Sequence, residues 1–165
     1  MIGVTRGLVM GGAAVLIWSV AGSQVQSHAR LPLSAVVPRA VISLPFGCTT
    51  FELEPYDPFC PGRHIHTGVD LAAATGTAVY SATSGTVRVG FDPGGAGRYV
   101  LVSVDGHARV FYCHLSTVAV ANGELVSAGK VVGAIGQTGL ATGPHLHLEV
   151  QVDGSSVDPA AWLAH

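Results

Sequence analysis

Charge is scarce in this chain: charged residues are 11% of the sequence, Lys and Arg number 8 against 10 Asp and Glu, and the formal net charge is −2. No basic stripe or cluster is present to neutralise a phosphate backbone, which excludes nucleic acid as a partner and leaves attraction to an anionic membrane surface without support. Residues that favour helices, such as Glu, Lys and Gln, are few, and no segment carries a long 3.6-residue period. Glycine is abundant, and short strands joined by tight turns are what such a composition suits, so an all-β domain is expected. A long apolar span is also missing. The uncharged run Gly7 to Val20 (GLVMGGAAVLIWSV) follows Arg6 and is shorter than the ~20 apolar residues a bilayer crossing takes. With Ala21-Gly22-Ser23 behind it, residues 1–23 read as an export signal, or as a membrane anchor through residues 7–20 if it is retained. Either way the domain is expected to leave the cytoplasm, secreted or associated with the cell envelope.

With 165 residues there is room for one domain. Residues 24–40 hold two prolines and no period, and are expected to be a linker; the folded part is expected over residues 41–163. Strand signals bounded by turn residues follow at Thr77 to Ala82, Thr86 to Phe91, Tyr99 to Val104, Ala108 to Leu115, Val131 to Ile135 and His145 to Val152. Asp105-Gly106 and Asn122-Gly123 fall between such runs, and both are dipeptides that tight hairpins favour, so antiparallel pairing is expected. Of the three cysteines, Cys48 and Cys60 bracket the acidic stretch TTFELEPYDPF. A disulfide between them fits an oxidising compartment and would add ~2 to 3 kcal/mol. The alternative makes one of them a thiolate that fills the open position of a metal and keeps the site latent.

The residues that carry chemistry lie in three segments: His66 and Asp70 in HTGVD, His114 in YCHL, and His145 with His147 in GPHLHLE. Two neutral imidazoles and a carboxylate can hold zinc while leaving a position for water, and further histidines can move protons. Along His145 to Val152, the polar set His145, His147, Glu149 and Gln151 alternates with Leu146, Leu148, Val150 and Val152, which puts chemistry on one strand face and core on the other. Histidines two apart on a strand are about 6.6 Å apart, so one can bind metal while the other reaches water or substrate. On a straight strand His66 and Asp70 would be about 13 Å apart, so the chain must turn between them, and Gly68 is where it can. In Ala108 to His114 the same alternation places Cys113 opposite His114, facing away from the site if His114 faces it. Glu149 reads equally as a carboxylate that orients a histidine or as a solvated rim residue, while His28, His64, His107 and His165 fit no pattern.

These segments resemble the lysostaphin- and LytM-like zinc metallopeptidases, peptidase family M23. The likeness runs from SLPFG at Ser43 to Val157-Asp158-Pro159, through GRHIHTGVDLAA, GTAVYSA, SGTV, YCHLS and GAIGQTGLATGPHLH. It implies an all-β fold of antiparallel sheets in a compact open barrel or sandwich. It also implies one Zn2+ per domain held by His66, Asp70 and His147, with His114 and His145 as the catalytic pair that shares proton transfer in either order. The implied activity is endopeptidase cleavage of peptidoglycan cross-links or stem peptides, by a chain acting as a monomer. The glycine-rich approach from Gly136 to Pro144 would let backbone come close to a slender peptide. The chain departs from the family pattern at Cys48, where Arg commonly follows Phe-Gly, at Arg98, where Asn is frequent, and in the Cys48 to Cys60 segment, which reads as an insertion.

Two other functions compete. Relatives that have lost ligands activate a separate cell-wall amidase, whereas here all the ligand positions are filled. VSAGKVVGAIG also resembles the hairpins of lipoyl and biotinyl carriers, but the single lysine, Lys130, lies outside the Asp-Lys-Ala or Met-Lys setting of those carriers. No Gly-Lys-Ser/Thr ends the glycine run, which excludes a phosphate loop.

Overall fold

Alternating, β-branched segments between glycine-containing turns become strands, and among the described residues two short helices interrupt them. The computed structural model describes residues 29–165; the signal or anchor expected over residues 1–23, the start of the expected linker and His28 lie outside the described residues. In chain order the elements are α1 (Leu33–Val36), β1 (Val41–Leu44), β2 (Gly47–Thr49), β3 (His64–His66), β4 (Val69–Ala72), β5 (Ala78–Tyr80), β6 (Gly85–Asp92), β7 (Gly97–Ser103), β8 (Ala108–Cys113), β9 (Thr117–Val118), β10 (Leu125–Val126), β11 (Val131–Ala134), β12 (His145–Val152), β13 (Ser155–Val157) and α2 (Pro159–Leu163). No helix among the described residues is long and apolar enough to cross a membrane.

The main sheet is antiparallel, in the order β1-β4-β12-β8-β7-β6-β10 with β13 also on β12; β5-β11-β9 form a second sheet and β2-β3 a third. Its aliphatic face is supplied by the alternation read along β12: Leu146, Leu148 and Val150 are fully buried, packed in one core with Val69, Leu71, Val100, Val102 and Val110 from neighbouring strands and Val79 and Val132 from the second sheet. Each such side chain contributes roughly 1.5–3 kcal/mol. Tyr112 is the polar exception in this layer. Its Oη accepts from Ala82 N at 2.7 Å, and burial pushes its pKa up to about 12, so the phenol stays neutral and the buried amide stays satisfied.

Asp105-Gly106 makes the expected β7–β8 hairpin, with Asp105 Oδ1 accepting from His107 N and Ala108 N at 2.8 and 2.7 Å. Asn122-Gly123 does not join a hairpin. It carries the chain from β9, paired with β11, to β10, paired with β6, and Asn122 Oδ1 accepts from Val89 N at 2.6 Å. A turn dipeptide sets local backbone shape, whereas the partner strands are chosen by which face each must bury. The linker expected up to residue 40 also differs: from residue 29 onward the chain lies on the domain. Val36 and Val37 join the core, Leu31 N donates to Ala82 O at 2.7 Å, and Arg30 stacks 3.7 Å from the Trp162 ring on α2. Val36 ends the short helix and Val37 follows it in extended backbone, a buried pair that no period in four residues can announce.

Candidate metal centre and active site

Strand register assembles the site. Asp70 on β4 is directly opposite His147 on β12, and His147 is opposite Cys113 on β8, so all three share one row on the face away from the core. His66 ends β3, and the reversal through Thr67-Gly68 brings it over the same row. His66 Nε2 lies 3.1 Å from Asp70 Oδ1 and 3.0 Å from His147 Nδ1, and His147 Nδ1 lies 3.0 Å from Asp70 Oδ1. His66 is fully buried, and Asp70 and His147 are partly so.

The opposite edges of the two rings decide what the inner edges offer. His66 Nδ1–H donates to Pro45 O at 2.9 Å, which leaves Nε2 as a lone pair. His147 turns Nδ1 towards Asp70 Oδ1 and His66 Nε2, both at 3.0 Å, and Nε2 away from them on the side of Glu149, so a proton on Nε2 leaves Nδ1 as the inward lone pair. Two lone pairs and a carboxylate oxygen therefore converge with no donor among them, an arrangement that only a cation relieves. The triangle they form is close to one face of a tetrahedron with bonds of ~2.0–2.1 Å, so the donor set fits zinc by type and by spacing. When protons rather than a metal occupy this cluster, the Asp70 carboxyl is held well below its ordinary value: burial opposes the shift, and hydrogen bonds from the then-protonated His147 and His66 nitrogens outweigh it.

Gly68 matters for a reason the sequence did not disclose. Its φ is not in the left-handed region; instead a Cβ there would sit 2.5 Å from Leu148 O and 2.8 Å from Cε1 and Nε2 of His147. Gly68→Ala is therefore expected to push the His147 ring and weaken zinc binding about 10- to 100-fold. A zinc titration showing unchanged affinity would mean that the ring can yield.

His114 and His145 stand beside this cluster with ring centroids 4.8 Å apart. His114 Nδ1–H donates to Thr138 O at 2.9 Å, and His145 Nδ1–H to Gly143 O at 2.8 Å, so both rings turn Nε2 towards the cleft. Burial lowers the His114 pKa to about 4, with repulsion from His145 and His147 adding to it and the Thr138 bond opposing. His145 Nε2 is 3.7 Å from Asp70 Oδ2.

Cys113 corrects the strand reading. It lines the same cleft as His114 rather than facing away, because His114 has φ 63° and that left-handed residue breaks the alternation. Burial pushes the Cys113 thiol up, so it stays protonated. The latency alternative falls as well: Cys48 and Cys60 form a disulfide with S–S 2.04 Å, so neither offers a thiolate. Glycines after Gly133 serve the fold first. Gly139, at φ 74°, lies against the Gly97 amide and Gly95 carbonyl, too close for any side chain. Glu149 is held through Oε1 by Gln151 Nε2 at 2.8 Å and Ser156 Oγ at 2.6 Å, so it is a fixed carboxylate rather than a solvated one, with Oε2 4.0 Å from His147 Nε2. Lys130 is paired with Glu124. One cleft residue was not singled out from the sequence: Glu54, in the disulfide loop, lines the cleft with His114 and His147, and burial raises its carboxyl against the pull of His66 and His147.

Two imidazoles and a carboxylate converging on one face of an antiparallel sheet, with two more imidazoles alongside, make the arrangement of a metal-dependent hydrolase. The chain belongs to peptidase family M23, whose model matches residues 64–159. It is 41% identical over 111 residues to an uncharacterized metalloprotease of Haemophilus influenzae, covering 62% of this chain and 23% of that protein. It is 40% identical over 93 residues to the peptidoglycan DD-endopeptidase ShyA of Vibrio cholerae, covering 56% of this chain and 22% of that one. The chain thus spans about a quarter of the length of these curated relatives. The solved catalytic domain of the antimicrobial peptidase lysostaphin from Staphylococcus simulans superposes with a TM-score of 0.63 at 31% identity, over 76% of this chain and 93% of that domain. The expected all-β, lysostaphin-type fold is the one observed.

Proposed function

We propose that this chain is an exported, monomeric, zinc-dependent endopeptidase that hydrolyses peptide bonds of peptidoglycan, with His66, Asp70 and His147 holding one zinc ion and His114 and His145 moving protons. The observation that carries this reading is the convergence of two imidazole lone pairs and a carboxylate oxygen within 3.0–3.1 Å of one another. Peptidoglycan as substrate is supported by the named activity of the DD-endopeptidase relative, and the residue roles by the resemblance of HTGVD, YCHL and GPHLH to the family's motifs.

Zinc bound there would polarise the scissile carbonyl and allow water to ionise near pH 7. His114 is the general base in this reading: neutral because of its burial, and held by Thr138 O so that Nε2 is free, it takes the proton of the attacking water. The C–N bond then breaks as the new C–O bond completes, and the leaving amine receives a proton from His145 Nε2, across the cleft. Asp70 Oδ2, 3.7 Å from that nitrogen, balances the charge while His145 carries the proton.

Mass spectrometry of fragments released from defined peptidoglycans tests the assignment. New amino groups without new reducing sugar ends are the expected result, and the fragment masses identify the bond as a bridge, a cross-link or a stem-peptide bond. Reducing ends would overturn the peptidase reading. Zinc binding without any release would instead favour a regulator of a separate amidase.

A further inference from the structure

The Cys48–Cys60 disulfide closes residues 49–59 into a loop at the mouth of the site, and backbone bonds hold that loop in place. Glu54 O accepts from His64 Nδ1 at 2.7 Å, Pro55 O accepts from Ile65 N at 3.0 Å, and Asp57 N donates to Arg63 O at 2.8 Å. Glu54 N also donates to Phe51 O at 3.1 Å, so main-chain bonds hold Glu54 on both sides while its carboxylate faces the cleft. It lines the two cavities that adjoin the metal centre, one with Thr67, Cys113 and His147, the other with Asp70, His114 and His145.

Among the described residues lining these cavities there is no Lys or Arg. Asp70 is committed to the imidazoles, and Glu149 has donors from Gln151 and Ser156. His66, His147 and His145 act on the Glu54 carboxylate only through longer-range attraction, with no ion pair or hydrogen bond to it, and a partly buried carboxylate is an acceptor that needs a donor, best a charged one. Beside it, Leu53 from the disulfide loop and Leu140 from the facing loop are 49% and 50% exposed, apolar surface at the cleft with nothing yet packed on it. Methylenes ending in an ammonium would satisfy both features, since such side chains lay their stems on apolar surface and keep the charge at a polar tip.

We infer that Glu54 determines specificity by binding a primary ammonium group of the substrate peptide, at the end of an aliphatic stem that lies between Leu53 and Leu140. This rests on the endopeptidase reading above. The enzyme then prefers peptides with a free amine near the cut bond over the same peptides with that amine blocked.

The test uses the zinc-loaded full chain and one cross-linked peptidoglycan peptide in two forms, free amine and N-acetylated. The expected kcat/KM ratio is about tenfold in favour of the amine, carried mainly by KM, the scale of one charge-assisted hydrogen bond. Glu54→Gln should bring the two forms level by loss on the amine-bearing peptide, and Glu54→Lys should reverse the order. An unchanged ratio in Glu54→Gln, or an equal gain or loss on both peptides, would overturn the inference. Calorimetric titration of both peptides separates it from the activity itself. Tighter binding of the amine form through Glu54 with no cleavage of either peptide would contradict only the endopeptidase reading, and cleavage of both with equal affinity only the specificity.

Discussion

His147→Ala is expected to purify without stoichiometric zinc and to lose peptidoglycan hydrolysis by more than ~100-fold, a larger loss than removing only the group that supports a metal ligand would cause. The cause is the converging geometry. With the His147 ring gone, His66 Nε2 and Asp70 Oδ1, 3.1 Å apart, can share a proton as a simple ion pair and no longer need a metal between them. The direction of the His66 shift says the same: burial works against its charged form, yet the bonds to Asp70 and to the Pro45 carbonyl raise its pKa above the ordinary imidazole value. Protons therefore compete with zinc for this nitrogen from a higher pH than usual. Zinc affinity should fall as pH drops through that raised pKa, and zinc content and activity should be lost together on the acid side. Metal analysis and release of soluble fragments, measured across pH for both proteins, check this; a His147→Ala protein with full zinc and full activity would remove the centre from the mechanism.

His114→Ala should behave differently: zinc retained at wild-type stoichiometry, kcat lower by about 10²–10⁴-fold. His114 belongs to none of the close contacts among His66, Asp70 and His147, and its loss removes the acceptor for the proton of water. Burial first, then repulsion from His145 and His147, holds it at about 4. It is neutral, and so competent as a base, at any pH above that value. The acid limb of kcat/KM in the wild type should accordingly track zinc loss rather than titration of His114. If His145→Ala showed the large kcat loss and His114→Ala did not, the roles would be exchanged.

Much of this site was legible in the sequence. Strand alternation put Leu146, Leu148 and Val150 inward and His145, His147 and Glu149 outward, because the two-residue period belongs to the extended backbone itself. It failed at His114, where one left-handed residue turned the imidazole into the cleft that Cys113 also lines. It failed in another way at Asn122-Gly123, where a hairpin dipeptide bridged two different sheets. The short helix at Leu33–Val36 and the reach of Glu54 into the cleft were equally silent, the first too short for a period and the second placed by a disulfide and by backbone bonds.

By itself the sequence determined the chemical types and the strand faces: which residues could ligate, which could move protons and which aliphatics would form the core. Those are set by side-chain identity and local backbone geometry. Only the tertiary structure decided the register that sets Asp70 opposite His147, the tautomers imposed by the carbonyls of Pro45, Thr138 and Gly143, and the place of the Glu54 carboxylate in the cleft. Register and carbonyl acceptors arise from backbone groups that every residue carries, so no side-chain pattern announces where distant segments will bring them together.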